Sequence, residues 1–443
     1  MKKSILIVVV CVAFGLQAFA QDAAKVSDNL TAGAADARRQ SFDIVWRTVK
    51  ERHFDPTLGG VDWDAARRKY EPRVAKIKTD GELHNLLNEM LGELHQSHFG
   101  VIPPEAILED GSFNGPAGNI RIDLRIVDGQ VVIARVAPDS TASRAGLRSG
   151  FVIKQIDGAE TAKMLKEEEA RMNKHPLRRH LSPGLKSFIV ARAIFRRAGG
   201  QPGSTARLQY LDERGRVCEA TIEREKAAGE LSPRIGTLPV SRMEFEAKRL
   251  AGGFGYIRFN AFMMPAMGKI RVALREFHDA PGIIFDLRGN LGGLGALAAG
   301  IVGLMETRQT SLGVTRMRSE NLNLIVYPQA RPYTGPMAVL IDGGSGSTTE
   351  LFAAGLQELR RAVIVGERSA GAALPSNFMK LPTGALFQFA FAELRTPGGT
   401  LLEGHGVRPD VEVKHTRASL LAGRDAQLEA AIEELRKKRP REQ

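Results

Sequence analysis

"MAVLIDGGSGSTTELFAAGLQELR", residues 337–360, is the stretch on which the fold turns. Met337 and the four residues after it, through Ile341, are an apolar run of the kind that forms a strand buried on both faces. Leu351, Phe352, Leu356 and Leu359 then recur at helical spacing. Between the two lies a turn of glycines and hydroxyls, so the order is strand, tight turn, helix. Serine and threonine at such a place can cap the helix by accepting its first free N–H groups. A serine on a sharp strand-to-helix turn is also exposed, beside N–H groups that can stabilise an oxyanion. The rest of the chain decides between the two readings.

Outward from this turn, residues 230–443 have an α/β texture. Residues 254–259, 282–286, 338–341 and 362–365 read as short buried strands. Helical stretches over 267–277, 293–304 and 349–359 alternate with them, which predicts a mainly parallel sheet with crossover helices. Residues 386–391 and 392–395 read as an added hairpin, and 425–438 as an amphipathic tail helix. Residues 37–96 are helical: Phe42, Val45, Trp46 and Val49 share one face, as do Leu83, Leu86, Leu87, Met90 and Leu91. Residues 55–60 break the run, and Asp80 is the expected N-cap of the second long helix. Residues 110–226 carry strands at 118–122 and 131–136 and a strand pair at 206–210 and 218–222. A basic, helix-forming insertion, 159–203, interrupts them.

The chain has 443 residues, enough for two or three domains. It opens with Lys2 and Lys3, an apolar run from Ile5 to Phe14, and Ala18-Phe19-Ala20 before Gln21. This pattern predicts a cleaved secretory signal and export from a bacterial cytoplasm to the periplasm or beyond. Cys11 lies within that signal, so Cys218 is the only cysteine of the mature chain. A single cysteine allows neither an internal disulfide nor a zinc-thiolate cluster, and no metal or cofactor is expected. The formal charge is +12, and removal of Lys2 and Lys3 lowers it by two. That balance suits acidic partners such as anionic envelope components. No basic run interleaves with aromatics, so nucleic acid is not an expected partner.

Several motifs together resemble one family, the serine peptidases that include the carboxyl-terminal processing (tail-specific) proteases and the core of the tricorn protease. "IIFDLRGNLGG" (283–293) is similar to the family's strand-to-glycine loop, "GGSGSTTELFAAGLQ" (343–357) to its nucleophile turn, and "LRTPGGTLLEGHGVRPD" (394–410) to its closing motif. Residues 118–158, ending in "SRAGLRSGFVIKQIDG", look like a PDZ domain, although Gly150-Phe151 stands where the family has Gly-Asp. The resemblance implies an α/β fold with a ClpP/crotonase-like core, an N-terminal helical segment and a PDZ-like β domain. The divisions are then 1–20, signal; 21–36, flexible leader; 37–109, N-terminal helical domain; 110–228, PDZ-like domain with the insertion; and 229–443, catalytic core.

Laid on the family's Ser-x-Ser-x-Ser-Glu pattern, Glu350 matches the Glu and Ser347 the nucleophile, which leaves helix capping for Ser345, Thr348 and Thr349. Tail-specific proteases use a lysine base, but Ala372 stands at that position. A serine is a poor nucleophile without a base. "LGELHQSHFGVI" (91–102) resembles the tricorn segment that supplies a Ser-His pair, which implies His98 as general base and Ser97 as its support. Glu403 falls on the position that completes the tricorn relay. A histidine with an unperturbed pKa near ~6.5 suits proton transfer at neutral pH. The N–H groups of Gly292 or Gly293 and of Thr348 form the expected oxyanion hole, and Gly118, Asn119 and Ile120 the PDZ carboxylate loop. His405 ranks below His98 as a base, Lys380 is the fallback for a Ser–Lys mechanism, and the His95/His98 spacing lacks the Glu of a zinc motif.

The reading is an exported serine endopeptidase acting on proteins or peptides through an acyl-enzyme, with the PDZ-like domain recognising substrate C-termini or gating the site. Two alternatives stand beside it. One is a catalytically inactive, PDZ-containing binding protein, since the fold also occurs in retinoid-binding proteins of the eye. The other is an envelope esterase or amidase. The oligomeric state is open.

Overall fold

The computed structural model describes residues 33–107 and 116–437. The expected signal and residues 21–32 of the leader lie outside the described residues, as does Lys438 of the tail helix. Residues 33–36 already belong to a helix, α1, over 33–52. Two more helices follow, α2 (Trp63–Val74) and α3 (Asp80–Leu91). The apolar faces read from the 3.6-residue spacing are buried: Phe42, Val45 and Val49 on α1, and Leu83, Leu86, Leu87, Met90 and Leu91 on α3. The cap of α3 is Thr79, one residue before the expected Asp80. Its hydroxyl accepts the Glu82 N–H at 3.2 Å while Glu82 reaches back to the Thr79 N–H, a capping box that Thr-x-x-Glu spells out. These helices share their core with Leu374, Leu381, Phe387 and Phe389 from far along the chain. Strand Gly100–Ile102 completes the join by pairing with Leu386–Ala390.

The middle unit holds β1 (Ile122–Val127), β2 (Gln130–Val136), β3 (Val152–Ile156), β4 (Thr205–Leu211) and β5 (Val217–Glu223) in that order across one antiparallel sheet. Strand β1 lies at one edge of this sheet, with no strand paired on its outer side among the described residues. The insertion between β3 and β4 is a helical pair, α4 (Thr161–Lys174) and α5 (Pro183–Arg197). Helix α5 begins at a Ser182 cap with Pro183 in its first turn, where a missing N–H costs nothing.

The remaining sheet runs β6 (Phe245–Arg249), β7 (Gly255–Phe259), β8 (Ile283–Asp286), β9 (Met337–Ile341), β10 (Val363–Gly366) and β11 (Val411–Glu412), again in spatial order. Strand β6 is antiparallel to β7 and every later pairing is parallel. All residues of β8, β9 and β10 are buried, as expected of parallel strands covered on both faces. Helices α6 (Met264–Glu276), α7 (Gly295–Val302) and α8 (Thr348–Glu358) pack on one face, and α9 (Ala426–Lys437) on the other. The expected hairpin at 386–395 does not form. Only Phe391 separates the two strands, too little chain for a turn. Leu386–Ala390 pairs with Ser376–Lys380, while Ala392–Arg395 crosses to Thr310–Met317 in another sheet.

Candidate active site

Ser347 stands at the junction of β9 and α8 with φ 54° and ψ −121°, in the left-handed region where a side chain is strained. The turn is fixed from below. Ser345 Oγ donates to the Leu287 carbonyl at 2.8 Å and accepts the Asp342 N–H at 3.0 Å. Thr349 Oγ1 donates to the Asn290 carbonyl (2.9 Å) and Thr348 Oγ1 to the Gly293 carbonyl (2.7 Å). These hydroxyls therefore do not cap α8. They tie the turn to the glycine loop, because the adjacent carbonyls of residues 287–293 lie within closer reach than the helix's own N–H groups.

Glu350, fully buried, takes the place of the cap. Its carboxylate accepts the N–H groups of Ser347 (3.1 Å), Gly371 (2.7 Å) and Ala372 (3.0 Å) and the hydroxyl of Ser369 (2.5 Å). Burial pushes its pKa up to about 7 against the opposing pull of these donors. In the sequence, Glu350 stands out by pattern only, with no role attached. A carboxylate three residues into a helix that starts at Ser is the available signal.

Opposite the turn, Ser97, His98 and Glu403 form one chain. Ser97 Oγ lies 2.6 Å from His98 Nδ1 and 2.9 Å from Glu403 Oε2, and the Ser97 N–H donates to Glu403 Oε1 at 2.8 Å. The Ser97 proton goes to Glu403, so Ser97 must accept from His98 Nδ1–H. That fixes the tautomer and leaves Nε2 with a free lone pair. Burial lowers the His98 pKa to about 4 and raises that of Glu403. The ring is therefore neutral and basic in form at pH 7.

No hydrogen bond joins Ser347 Oγ to His98. The two halves meet instead through the segment where tail-specific proteases carry lysine. The Ser347 N–H donates to the Ala372 carbonyl at 2.8 Å, and the N–H of the next residue, Ala373, donates to Glu403 Oε2 at 2.8 Å. Ala372 lies in a buried apolar cluster with Leu185, Phe188 and Ala370, and Lys380 is exposed on its strand. His405 is exposed, with its ring on the Glu403 carbonyl, and His95 packs against His180 with centroids 4.0 Å apart.

The two glycines of the expected oxyanion hole differ. The Gly292 N–H is held by Asn290 Oδ1 at 2.9 Å. The N–H groups of Gly293 and Thr348 have no acceptor among the described residues, and the Thr348–Gly293 bond holds them side by side. Gly292, at φ +100°, serves by its lack of a side chain. A Cβ there would lie 2.7 Å from Ser347 Cβ and 2.8 Å from the Thr348 nitrogen. Gly292→Ala is expected to displace both nucleophile and oxyanion donor and to lower kcat by about 10²-fold or more, since one misplaced donor costs that much. Steady-state kinetics, with circular dichroism to verify folding, is the check.

The insertion reaches both halves of the site. Ser182 Oγ donates to the Ala370 carbonyl at 2.7 Å. Gly184 lies against Gly343, and Phe188 against Gly344. Pro176 packs on Gly92, in the segment that leads to His98. The insertion is a structural bridge rather than a free basic arm. Of the expected carboxylate loop, Gly118 is bonded through its N–H to the Gly200 carbonyl (2.9 Å) and Ile120 is wholly buried. Only Asn119 lines the neighbouring cleft.

A helix-borne serine on a strained turn, a hydrogen-bonded Ser-His-Glu chain and paired amide donors are the parts of a serine peptidase. Residues 253–413 match the profile of peptidase family S41, and residues 34–92 that of the tricorn protease C1 domain. A putative tricorn protease homolog 2 of Streptomyces coelicolor is 26% identical over 419 residues, covering 89% of this chain and 32% of its own length. A carboxyl-terminal-processing protease of Synechocystis sp. is 26% identical over 400 residues, covering 88% of this chain and 84% of its own. The solved photosystem II D1 C-terminal processing protease has the same fold, with a TM-score of 0.54 at 20% identity over 85% of this chain and 93% of that one. The chain thus carries regions that match peptidase family S41 and the tricorn C1 domain, and it is similar to tricorn and carboxyl-terminal-processing proteases. It spans about a third of the tricorn homologue and most of the carboxyl-terminal-processing protease.

Proposed function

We propose that the chain is an exported serine endopeptidase that uses a Ser-His-Ser-Glu relay rather than a Ser–Lys dyad. The observation that carries this is the unbroken chain from Glu403 through Ser97 to His98 Nδ1, anchored at Ala373 beside the residue that holds Ser347. Ser347 Oγ attacks the substrate carbonyl carbon while His98 Nε2 takes its proton. The Gly293 and Thr348 amides bind the oxyanion. The C–N bond breaks as His98 returns the proton to the leaving amine, and water then hydrolyses the acyl-enzyme by the same proton route.

The free edge of β1 faces a cleft of about 810 Å³ that extends from Asn119 to Gly293. This supports binding of a substrate's C-terminal stretch as an added strand. Helix α5 lines the same cleft and touches the nucleophile turn through Phe188, which supports a gating role for the PDZ-like unit. The composition of residues 1–20 supports export and a periplasmic or extracellular location. The test is digestion of reduced, unfolded casein by the mature chain. Internal cleavages absent with Ser347→Ala are expected. Release of terminal residues alone would contradict the endopeptidase reading.

The missing Ser347–His98 hydrogen bond favours a second reading, a binding protein of the same fold. Intact wild type that cleaves nothing while retaining peptide in the cleft would support it.

A further inference from the structure

The cleft between the middle unit and the core has an uneven charge balance. Five of its lining cations are engaged with acids: Arg125 with Asp342 (2.8 Å), Arg135 with Glu246 (2.9 Å), Arg258 with Asp123 (3.1 Å), Lys269 with Glu230 (3.0 Å) and Arg288 with Asp286 (2.6 Å). Arg121, just before β1, and Arg192 and Arg196, on α5, line the same cleft and form no ion pair among the described residues. Arg192 is the most enclosed of the three. It projects from α5 over the Phe188 ring, 5.7 Å from its centroid, on the wall that faces the open edge of β1. Its guanidinium is held below the usual arginine range by burial and then by Arg196 and Arg125, against the weaker opposing pull of Asp123 and Glu244, so an incoming anion would relieve like-charge repulsion and lost hydration. One lining acid, Glu244, is also without an ion pair among the described residues. Burial and Asp123 push its carboxyl up, which weakens it as a competitor.

We propose that this cleft selects polypeptides with Asp or Glu side chains on the C-terminal side of the cleaved bond, and that Arg192 reads them, flanked by Arg121 and Arg196. The placement rests on the proposed function: a chain cleaved at Ser347 that continues along β1 passes Arg192 on its way to Asn119. An arginine fork binds a carboxylate through two parallel N–H groups, and it does so more strongly where water is partly excluded. The mature excess of positive charge follows the same sense and steers such substrates inward.

The test uses the mature Ser347→Ala chain and a short fluorescein-labelled peptide with three Glu residues ahead of an apolar C-terminus. A Gln version of that peptide is the comparison, and each is made with a free and an amidated end. Fluorescence anisotropy is expected to give about tenfold tighter binding of the Glu peptide, equal to about 1.4 kcal/mol. The ratio survives amidation, shrinks to about twofold or less in Arg192→Gln, and is partly restored in Arg192→Lys, with the melting temperature of each variant confirming its fold. Equal binding of Glu and Gln peptides, or a ratio unchanged by Arg192→Gln, overturns the proposal. So does a ratio that vanishes on amidation, because the group then read is the chain terminus. Failure of the underlying reading looks different: the ratio persists while the wild-type chain cleaves neither peptide.

Discussion

Replacing His98 with alanine is expected to lower kcat/KM by about 10⁴-fold or more, and Ser347→Ala by on the order of 10⁶-fold, because nucleophile and base act as one unit. The double variant should be no worse than Ser347→Ala alone, since a base without a nucleophile contributes nothing. Lys380→Ala should remain within about twofold of wild type. Its side chain is exposed on a strand edge, and Ala372 at the family's lysine position is packed among Leu185, Phe188 and Ala370. A lysine-dependent mechanism would reverse the pattern, leaving His98→Ala active and Lys380→Ala dead. Kinetics on one peptide substrate separates the two.

Glu403→Gln is the second large effect, a fall in kcat on the order of 10³-fold. The carboxylate accepts three donors, from Ser97 Oγ, Ser97 N–H and Ala373 N–H. An amide must turn its NH₂ toward at least one of them. The Ser97 proton then loses its fixed direction, and with it the His98 tautomer that leaves Nε2 free. The loss should fall on kcat more than on KM, because Glu403 acts through His98 and does not reach substrate. The pH profile should show the same buried, neutral ring. Burial lowers the His98 pKa to about 4, so the base is lost only as pH falls through that region. The acid limb of kcat/KM is expected well below 6.5. Between about pH 4 and 6.5 the unfolded chain binds a proton at His98 that the folded chain does not, so this residue makes stability rise with pH across that window. An acid limb at or above 6.5 would contradict the assignment.

Much of this was legible in the sequence because it depends on local pattern. Met337–Ile341, the hydroxyl-rich turn and the Leu351/Phe352/Leu356 face specify strand, turn and helix without knowledge of the rest. Motif position singles out Ser97, His98 and Glu403, and the structure brings those three together although Ser97 and Glu403 are 306 residues apart in the chain. Interactions between distant segments were not legible. Nothing in residues 175–188 announces that they pack on Gly92, Gly343 and Gly344. The charge of the insertion carries no sign of this, because its apolar face, Leu185 and Phe188, is what meets the turn that bears Ser347. The division of labour within the glycine loop was equally hidden. Asn290 takes the Gly292 N–H, which leaves Gly293 and Thr348 as donors, and only a folded loop shows which amide is spent. Strands 386–390 and 392–395 read as a hairpin in sequence but feed different sheets, because each has a partner far upstream, Gly100–Ile102 and Thr310–Met317.

The proposed mechanism requires His98 to activate Ser347, and the two are not hydrogen-bonded here. Catalytic contacts of this kind often tighten only when substrate arrives. Labelling of the mature chain with a fluorophosphonate probe tests this most directly, with wild type, Ser347→Ala, His98→Ala and Lys380→Ala side by side and the modified residue located by mass spectrometry. The account predicts a single adduct on Ser347 in wild type and Lys380→Ala, and none in the other two. Folded wild type that never labels, or labelling that survives His98→Ala and disappears with Lys380→Ala, would contradict it.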